Sequence, residues 1–166
     1  YKTFDELELH MARELGTGTY DAVIHSAAVS DYRPVGSFVM RDGAMVSVDK
    51  EKIESGHGEL FIKCVPTTKL LDQVKRNWGH TGLLISFKLQ IDMSDDALIA
   101  KARESMARAG SDLVVANCLE WMRESAFFIH ADPARDVERI SRDTVPEKLW
   151  EYITKEVGSS CVSRSV

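Results

Sequence analysis

The sequence predicts an α/β fold built around a parallel sheet. Three short runs, Tyr20–Ser26, Gly82–Leu89 and Asp112–Asn117, have the nearly continuous apolar character of strands buried on both faces. Segments with apolar residues at helical spacing alternate with them, and strand–helix alternation of this kind specifies parallel strands joined by helical crossovers. Glycines stand where those helices should stop, at Gly16, Gly18, Gly79 and Gly110.

Taken in order, Phe4, Leu7, Met11 and Leu15 recur on one helical face, and Gly16 and Gly18 end that helix. The strand at Tyr20–Ser26 follows, and Tyr32–Gly36 reads as a turn or loop around Pro34. Phe38–Val48, interrupted by Arg41-Asp42-Gly43, is a hairpin with a tight Asp-Gly turn. Lys50–Glu59 is polar and carries Gly56 and Gly58, which predicts a mobile flap. Leu60–Val65 is a strand leading to Pro66. Thr67 or Thr68 then caps a helix bearing Leu70, Leu71 and Val74. Ser94-Asp95-Asp96 caps an alanine-rich helix through Ala109, with Leu98, Ala102 and Met106 on one face. Ser125–Ala131 is another strand, expected at a sheet edge. Pro146 suits the first turn of a closing helix that runs to about Lys155. The expected organisation is a single α/β domain over 1–157 and a flexible tail over 158–166.

Composition narrows the function classes. The chain has 166 residues, 44% hydrophobic and 28% charged, so disorder and fibrous architectures are excluded. A formal charge of -5 argues against nucleic-acid coating, which needs clustered Lys and Arg. No run approaches the roughly 20 apolar residues of a membrane span. Cys64, Cys118 and Cys161 form no short-spaced pair, which predicts reduced thiols and a cytoplasmic protein. Because the chain opens at Tyr1, already approaching a helix, further sequence is expected upstream.

Ligands of open α/β sheets bind beyond the carboxyl ends of the strands, and four such places carry candidate chemistry. After the first strand, Ala27 and Ala28 allow close approach to the backbone, and Asp31 offers a carboxylate to a ribose hydroxyl or a metal ion. The bland alternative is that these small residues ease packing. Lys50 and Lys52 on the flap either close over a phosphate or sit on a solvated charged loop. Phe87 and Lys88 either stack on a base and pair with a phosphate or are a core ring and a snorkelling cation. Asn117 reads a base edge or caps a turn. Thr67 and Thr68 add an anion site at a helix start, or capping alone. The histidines lack metal spacing, and His25 reads as a satisfied core residue rather than a base. No nucleophile elbow, zinc-helix motif or Walker loop occurs.

Together, Ile24-His-Ser-Ala-Ala-Val-Ser-Asp-Tyr-Arg-Pro34, Glu51-Lys52-Ile53, Ile85-Ser-Phe-Lys-Leu89 and Leu113-Val-Val-Ala-Asn117 resemble the phosphopantothenate–cysteine ligases, also called phosphopantothenoylcysteine synthetases. The resemblance covers roughly residues 1–156 and is nearer to the stand-alone type than to the fused bacterial enzyme. It implies a Rossmann-like, doubly wound, mostly parallel sheet with a protruding hairpin and flap, a homodimer, Mg2+, and CTP or ATP as co-substrate. The implied reaction joins 4′-phosphopantothenate to L-cysteine through an acyl-nucleotide, releasing pyrophosphate and the nucleoside monophosphate. By the same resemblance Asp31 holds the nucleotide, Ala27 and Ala28 lie against the phosphopantothenate, and Lys52 is the flap lysine that stabilises the transition state. Phe87 contacts the base, Thr67, Thr68 and Lys69 line the nucleotide pocket, and Lys88 joins them at the phosphates.

Two departures accompany the resemblance. The family's opening strand and glycine-rich segment have no counterpart before Tyr1. Ser105 and Ala109 stand where the fused type has lysines, with Lys88, Lys101 and Arg108 nearby as substitutes, which leaves CTP against ATP open. The rivals are a dehydrogenase or methyltransferase fragment, for which the glycine-rich first turn is not visible, and a nucleotide-binding regulatory or pseudoenzyme module.

Overall fold

The computed structural model describes residues 1–48, 56 and 58–163, with side chains through 158. In chain order the elements are α1 (Phe4–Thr17), β1 (Ala22–His25), β2 (Tyr32–Arg41), β3 (Ala44–Ser47), β4 (Phe61–Pro66), α2 (Leu70–Arg76), β5 (Leu83–Gln90), α3 (Asp95–Ala109), β6 (Leu113–Cys118), β7 (Ser125–His130), β8 (Glu138–Ser141) and α4 (Val145–Ser163). They form two compact units, one of Tyr1–Ala27 with Leu70–Val166, the other of Ala28–Lys69.

The first unit is Rossmann-like. Its sheet has the order β1-β5-β6-β7-β8. β1, β5 and β6 pair in parallel, β7 opposes β6, and β8 opposes β7. β7 alone therefore runs against the other strands, as a mostly parallel sheet requires. Alternate residues of the central strands feed two cores, one on each face. Val114, Ala116, Cys118, Phe127 and Ile129 pack under Leu98, Ala102 and Met106 of α3. Ile85, Leu113, Val115, Ala126 and Phe128 pack under Val145 and Leu149 of α4. Each fully buried leucine in these layers contributes about 1.5–3 kcal/mol of transfer free energy.

Local signals set the helix limits. Thr3 and Glu6 close a reciprocal capping box at the start of α1. The Ser94 hydroxyl accepts the Ala97 N–H at 3.4 Å, and Gly110 ends α3 at φ +73°. Gly82 answers a different demand, since a Cβ there would lie 2.4 Å from the Asp21 carbonyl oxygen.

Several expectations need correction. β1 is not buried on both faces: it is the outer strand of the described sheet, and Ile24 is half exposed. β7 is not an edge, because β8 pairs outside it. The Glu138-Arg139-Ile140-Ser141 segment of β8 is too short and polar to announce itself as a strand. α4 continues past Lys155 and through Gly158 to Ser163, where a frayed tail was expected. An exposed helical glycine costs only about 1 kcal/mol, and no proline follows to stop the helix.

The second unit is a three-stranded antiparallel sheet, β3-β2-β4. Arg41 pairs with Ala44 across a two-residue turn in which Asp42 (φ +50°) and Gly43 (φ +78°) are both left-handed, as the expected Asp-Gly hairpin demands. Tyr32–Gly36 is strand rather than loop, paired with β4 from Tyr32↔Pro66 to Pro34↔Cys64. A register shift between Pro34 and Gly36 absorbs the proline, so the residues that suggested a turn mark a bulge. Most of the expected flap, with Lys50 and Lys52, lies outside the described residues.

Candidate functional site

In the second unit the chain returns to the segment after β1 and fastens it. The Thr67 N–H donates to the Asp31 carbonyl at 2.9 Å, and the Thr67 hydroxyl donates to the Ser30 carbonyl at 2.6 Å. Lys69 then reaches Asp31, Nζ to Oδ1, at 2.8 Å. The backbone of the 30–31 turn is thus held by bonds from one residue. The ion pair above it remains exposed, with 49% of the Lys69 side chain and 67% of that of Asp31 accessible. A fixed turn carrying an accessible carboxylate and an accessible ammonium suits a ligand that bears both hydroxyls and phosphates. The sequence nominates Asp31 on one segment and Thr67 and Lys69 on another; the structure brings them together.

The expected helix cap is revised. Thr67 spends its hydroxyl on Ser30 instead, and α2, of 7 residues, begins only at Leu70. Thr68 is exposed beside it. Ala27 and Ala28 are exposed as well, the former closing its stretch of the first unit and the latter opening the second. Lys52 lies outside the described residues.

In the first unit the carboxyl ends of β5 and β6 stand side by side, with Lys88 opposite Ala116 and Leu89 opposite Asn117. Phe87 is half-buried and packs onto the α4-side core. Lys88 and Asn117 are half-buried too. Just beyond, Leu89, Ile91 and Leu119 are exposed large apolar residues, and the Leu119 N–H donates to the Gln90 carbonyl at 2.9 Å. This apolar rim went unnoticed in the sequence, where Leu89 reads as a strand residue and Ile91 and Leu119 as ordinary loop positions. His25 is only partly buried on the outer strand, and burial pushes its imidazole below its usual range.

Among the described residues no group of three or more His, Cys, Asp or Glu side chains gathers as a metal site, and no helix is long and apolar enough to cross a membrane.

Comparison with known proteins places these features in context. The family described as DNA/pantothenate metabolism flavoprotein C-terminal domain matches residues 4–157. The chain is 34% identical over 157 residues to the coenzyme A biosynthesis bifunctional protein CoaBC of Thermococcus kodakarensis, covering 93% of this chain and 36% of that protein. It is 30% identical over 118 residues to phosphopantothenate–cysteine ligase 1 of Oryza sativa, covering 71% of this chain and 33% of that protein. The crystal structure of the DNA/pantothenate metabolism flavoprotein from Streptococcus pneumoniae superposes with a TM-score of 0.71 at 25% identity, over 93% of this chain and 68% of that one. The chain therefore spans about a third of the length of these curated relatives.

Proposed function

This chain belongs to the DNA/pantothenate metabolism flavoprotein C-terminal domain family, and from that premise we propose that it serves a phosphopantothenate–cysteine ligase of coenzyme A biosynthesis. The observation that carries the reading is the fastened Ser30–Asp31 turn with Lys69 on its carboxylate, lying in the sequence block most specific to those ligases. A carboxylate cannot acylate an amine until one of its oxygens becomes a good leaving group. In the proposed reaction the carboxylate of 4′-phosphopantothenate attacks the α-phosphorus of CTP or ATP, forming an acyl-nucleotide and expelling pyrophosphate. The amino group of L-cysteine then attacks the acyl carbon, the amide forms, and the nucleoside monophosphate leaves with the electron pair of the broken C–O bond.

Such chemistry needs positioning and charge neutralisation more than a side-chain nucleophile. In the second unit Asp31 is assigned to a nucleotide hydroxyl and Lys69 to a phosphate oxygen, and in the first unit Lys88 is assigned to a phosphate by resemblance. Phe87 offers its ring to the base, with the Leu89–Ile91–Leu119 rim shielding it from water. Thr67 holds the turn, Thr68 lines the pocket, and Ala27 and Ala28 leave room for the pantothenate moiety. Lys52 is assigned to the developing phosphoryl charge by resemblance. Mg2+ is expected to arrive on the triphosphate, where it offsets phosphate charge. It usually keeps several waters and needs few protein ligands. A homodimer is the proposed assembly, supported by the exposed Met40, Met45 and Val46 on the β2–β3 hairpin. The proposed setting is the cytoplasm.

The test is pyrophosphate release by the protein with 4′-phosphopantothenate and Mg2+, giving CTP or ATP in turn and L-cysteine last. Release that requires phosphopantothenate, followed by a cysteine-dependent amide, supports the ligase and identifies the nucleotide. Nucleotide binding without release with either triphosphate would replace it by a binding module.

A further inference from the structure

We infer that the first unit carries a second small-molecule site, for an organic amine, at the amino end of its sheet. A cavity of about 670 Å³ opens there, within the size range of ligand pockets. Its walls are two glycine–threonine loops, residues 15–21 ahead of β1 and 78–83 ahead of β5, with Asp112 at the start of β6. The nucleotide chemistry proposed for this unit lies at the opposite, carboxyl ends of the same strands, so this inference does not rest on the ligase reading. The walls are preformed. Gly82 sits so close to the Tyr20 and Asp21 carbonyls that a Cβ would fall at 2.6 and 2.4 Å from their oxygens.

The charges specify the ligand. The one lysine in the lining, Lys75, is held by Asp112, Nζ to Oδ2, at 2.7 Å, and that oxygen also accepts the Leu84 N–H. Asp21 has no ion pair among the described residues and is exposed. α1 directs its C-terminal end into the cavity with no basic residue in its last turn, adding partial negative charge. With Lys75 and Asp112 neutralising each other, an anion would meet the Asp21 carboxylate and the helix carbonyls. An ammonium group would find acceptors there, and the rings of Tyr20 and Trp78 would face its apolar body. The hydroxyls of Thr19 and Thr81 add polar contacts of either sense.

The experiment is an NMR titration of the ¹⁵N-labelled protein with phenethylamine and 1,4-diaminobutane, following the Trp78 indole N–H. Inorganic phosphate and glucose serve as alternative probes. The expected result is a saturable shift with the amines alone, weakened roughly tenfold by Asp21→Asn through loss of a charge-assisted contact. Thr81→Val supplies a second variant, expected to weaken binding less. Absence of saturation with either amine, unchanged affinity in both variants, or a shift driven by phosphate or glucose instead would overturn the inference.

Discussion

Asp31 and Lys69 allow a structural role to be separated from a binding role by magnitude. Their ion pair is short, at 2.8 Å, yet both side chains are about half or more exposed, so its contribution to stability is about 0.2–1 kcal/mol. For a chain of this size each kcal/mol moves Tm by roughly 2–4 °C. Asp31→Asn or Lys69→Met should therefore lower Tm by no more than about 4 °C. A carboxylate that accepts a ligand hydroxyl is worth more, about 1.5–3 kcal/mol for a charge-assisted bond. That translates to a loss of roughly 10- to 150-fold in kcat/KM for the nucleotide, with the KM for cysteine unchanged. Thr67→Val removes the hydroxyl that holds Ser30 while keeping the shape, and should reduce nucleotide kcat/KM by a smaller factor that Thr67→Ser restores. The assay is steady-state pyrophosphate release beside a calorimetric melt of each variant. The reasoning fails if Asp31→Asn melts more than about 10 °C lower, well beyond an exposed pair. It fails equally if catalysis stays within a factor of about two of wild type, below the smallest loss expected for that bond.

Three other outcomes follow from geometry. Arg139 lies 4.7 Å from the Trp121 ring centroid and 5.3 Å from that of Phe127, and pairs with Asp95 at 3.2 Å, joining β8 to the start of α3. Arg139→Ala should cost about 1–2 kcal/mol, and Arg139→Lys should recover less than half because the planar fork is lost; a lysine variant as stable as wild type would remove the stacking account. Gly82→Ala should destabilise by about 1–3 kcal/mol, since neither carbonyl in its way is a flexible side-chain end, and an unchanged urea midpoint would contradict it. His130 is buried against Tyr152, its Nδ1 without a hydrogen-bond partner among the described residues, and burial and the nearby Arg135 hold its imidazole below the ordinary value of 6.5. The unfolded chain therefore takes up this proton first as pH falls, so the stability contribution is intact above pH 6.5 and is lost progressively below it. His130→Phe should flatten that part of the pH–stability curve, and a variant with the wild-type slope would assign the acid sensitivity elsewhere.

Where the fold was legible, the determinants were local. α3 is specified within its own sequence by the Ser94 cap, by Leu98, Ala102 and Met106 one turn apart, and by a glycine able to turn left-handed at 110. The Asp42-Gly43 hairpin is similar, because the turn itself demands φ above zero at both residues. β8 was not legible. Its four residues gain strand character from pairing with β7, Ser125 with Ser141 and Ala126 with Ile140, and no period in the segment encodes that. Tyr32–Gly36 misled for a related reason. Proline and glycine usually mark turns, but a bulge in a paired strand accommodates both, and the pairing partner β4 lies far along the chain.

The candidate site divides along the same line. Asp31 was visible as a carboxylate after an apolar strand, where a structural and a binding use were equally open until the family resemblance gave it a role. Its pairing with Lys69 was not, for that residue is 38 positions away and only the fold of the second unit sets them 2.8 Å apart. Thr67 was given the wrong task because two threonines before an apolar run are the local signature of a helix cap. The hydroxyl instead serves a carbonyl 37 residues earlier, a choice made by tertiary structure. This difference matters for mechanism. A capping threonine would stabilise α2 and could be exchanged for serine or aspartate with little consequence for catalysis. A threonine that fastens the turn carrying Asp31 transmits any shift of its own to the carboxylate, so Thr67→Asp, harmless if position 67 were only a cap, should damage nucleotide binding by losing the bond to Ser30 and setting a second negative charge beside Asp31.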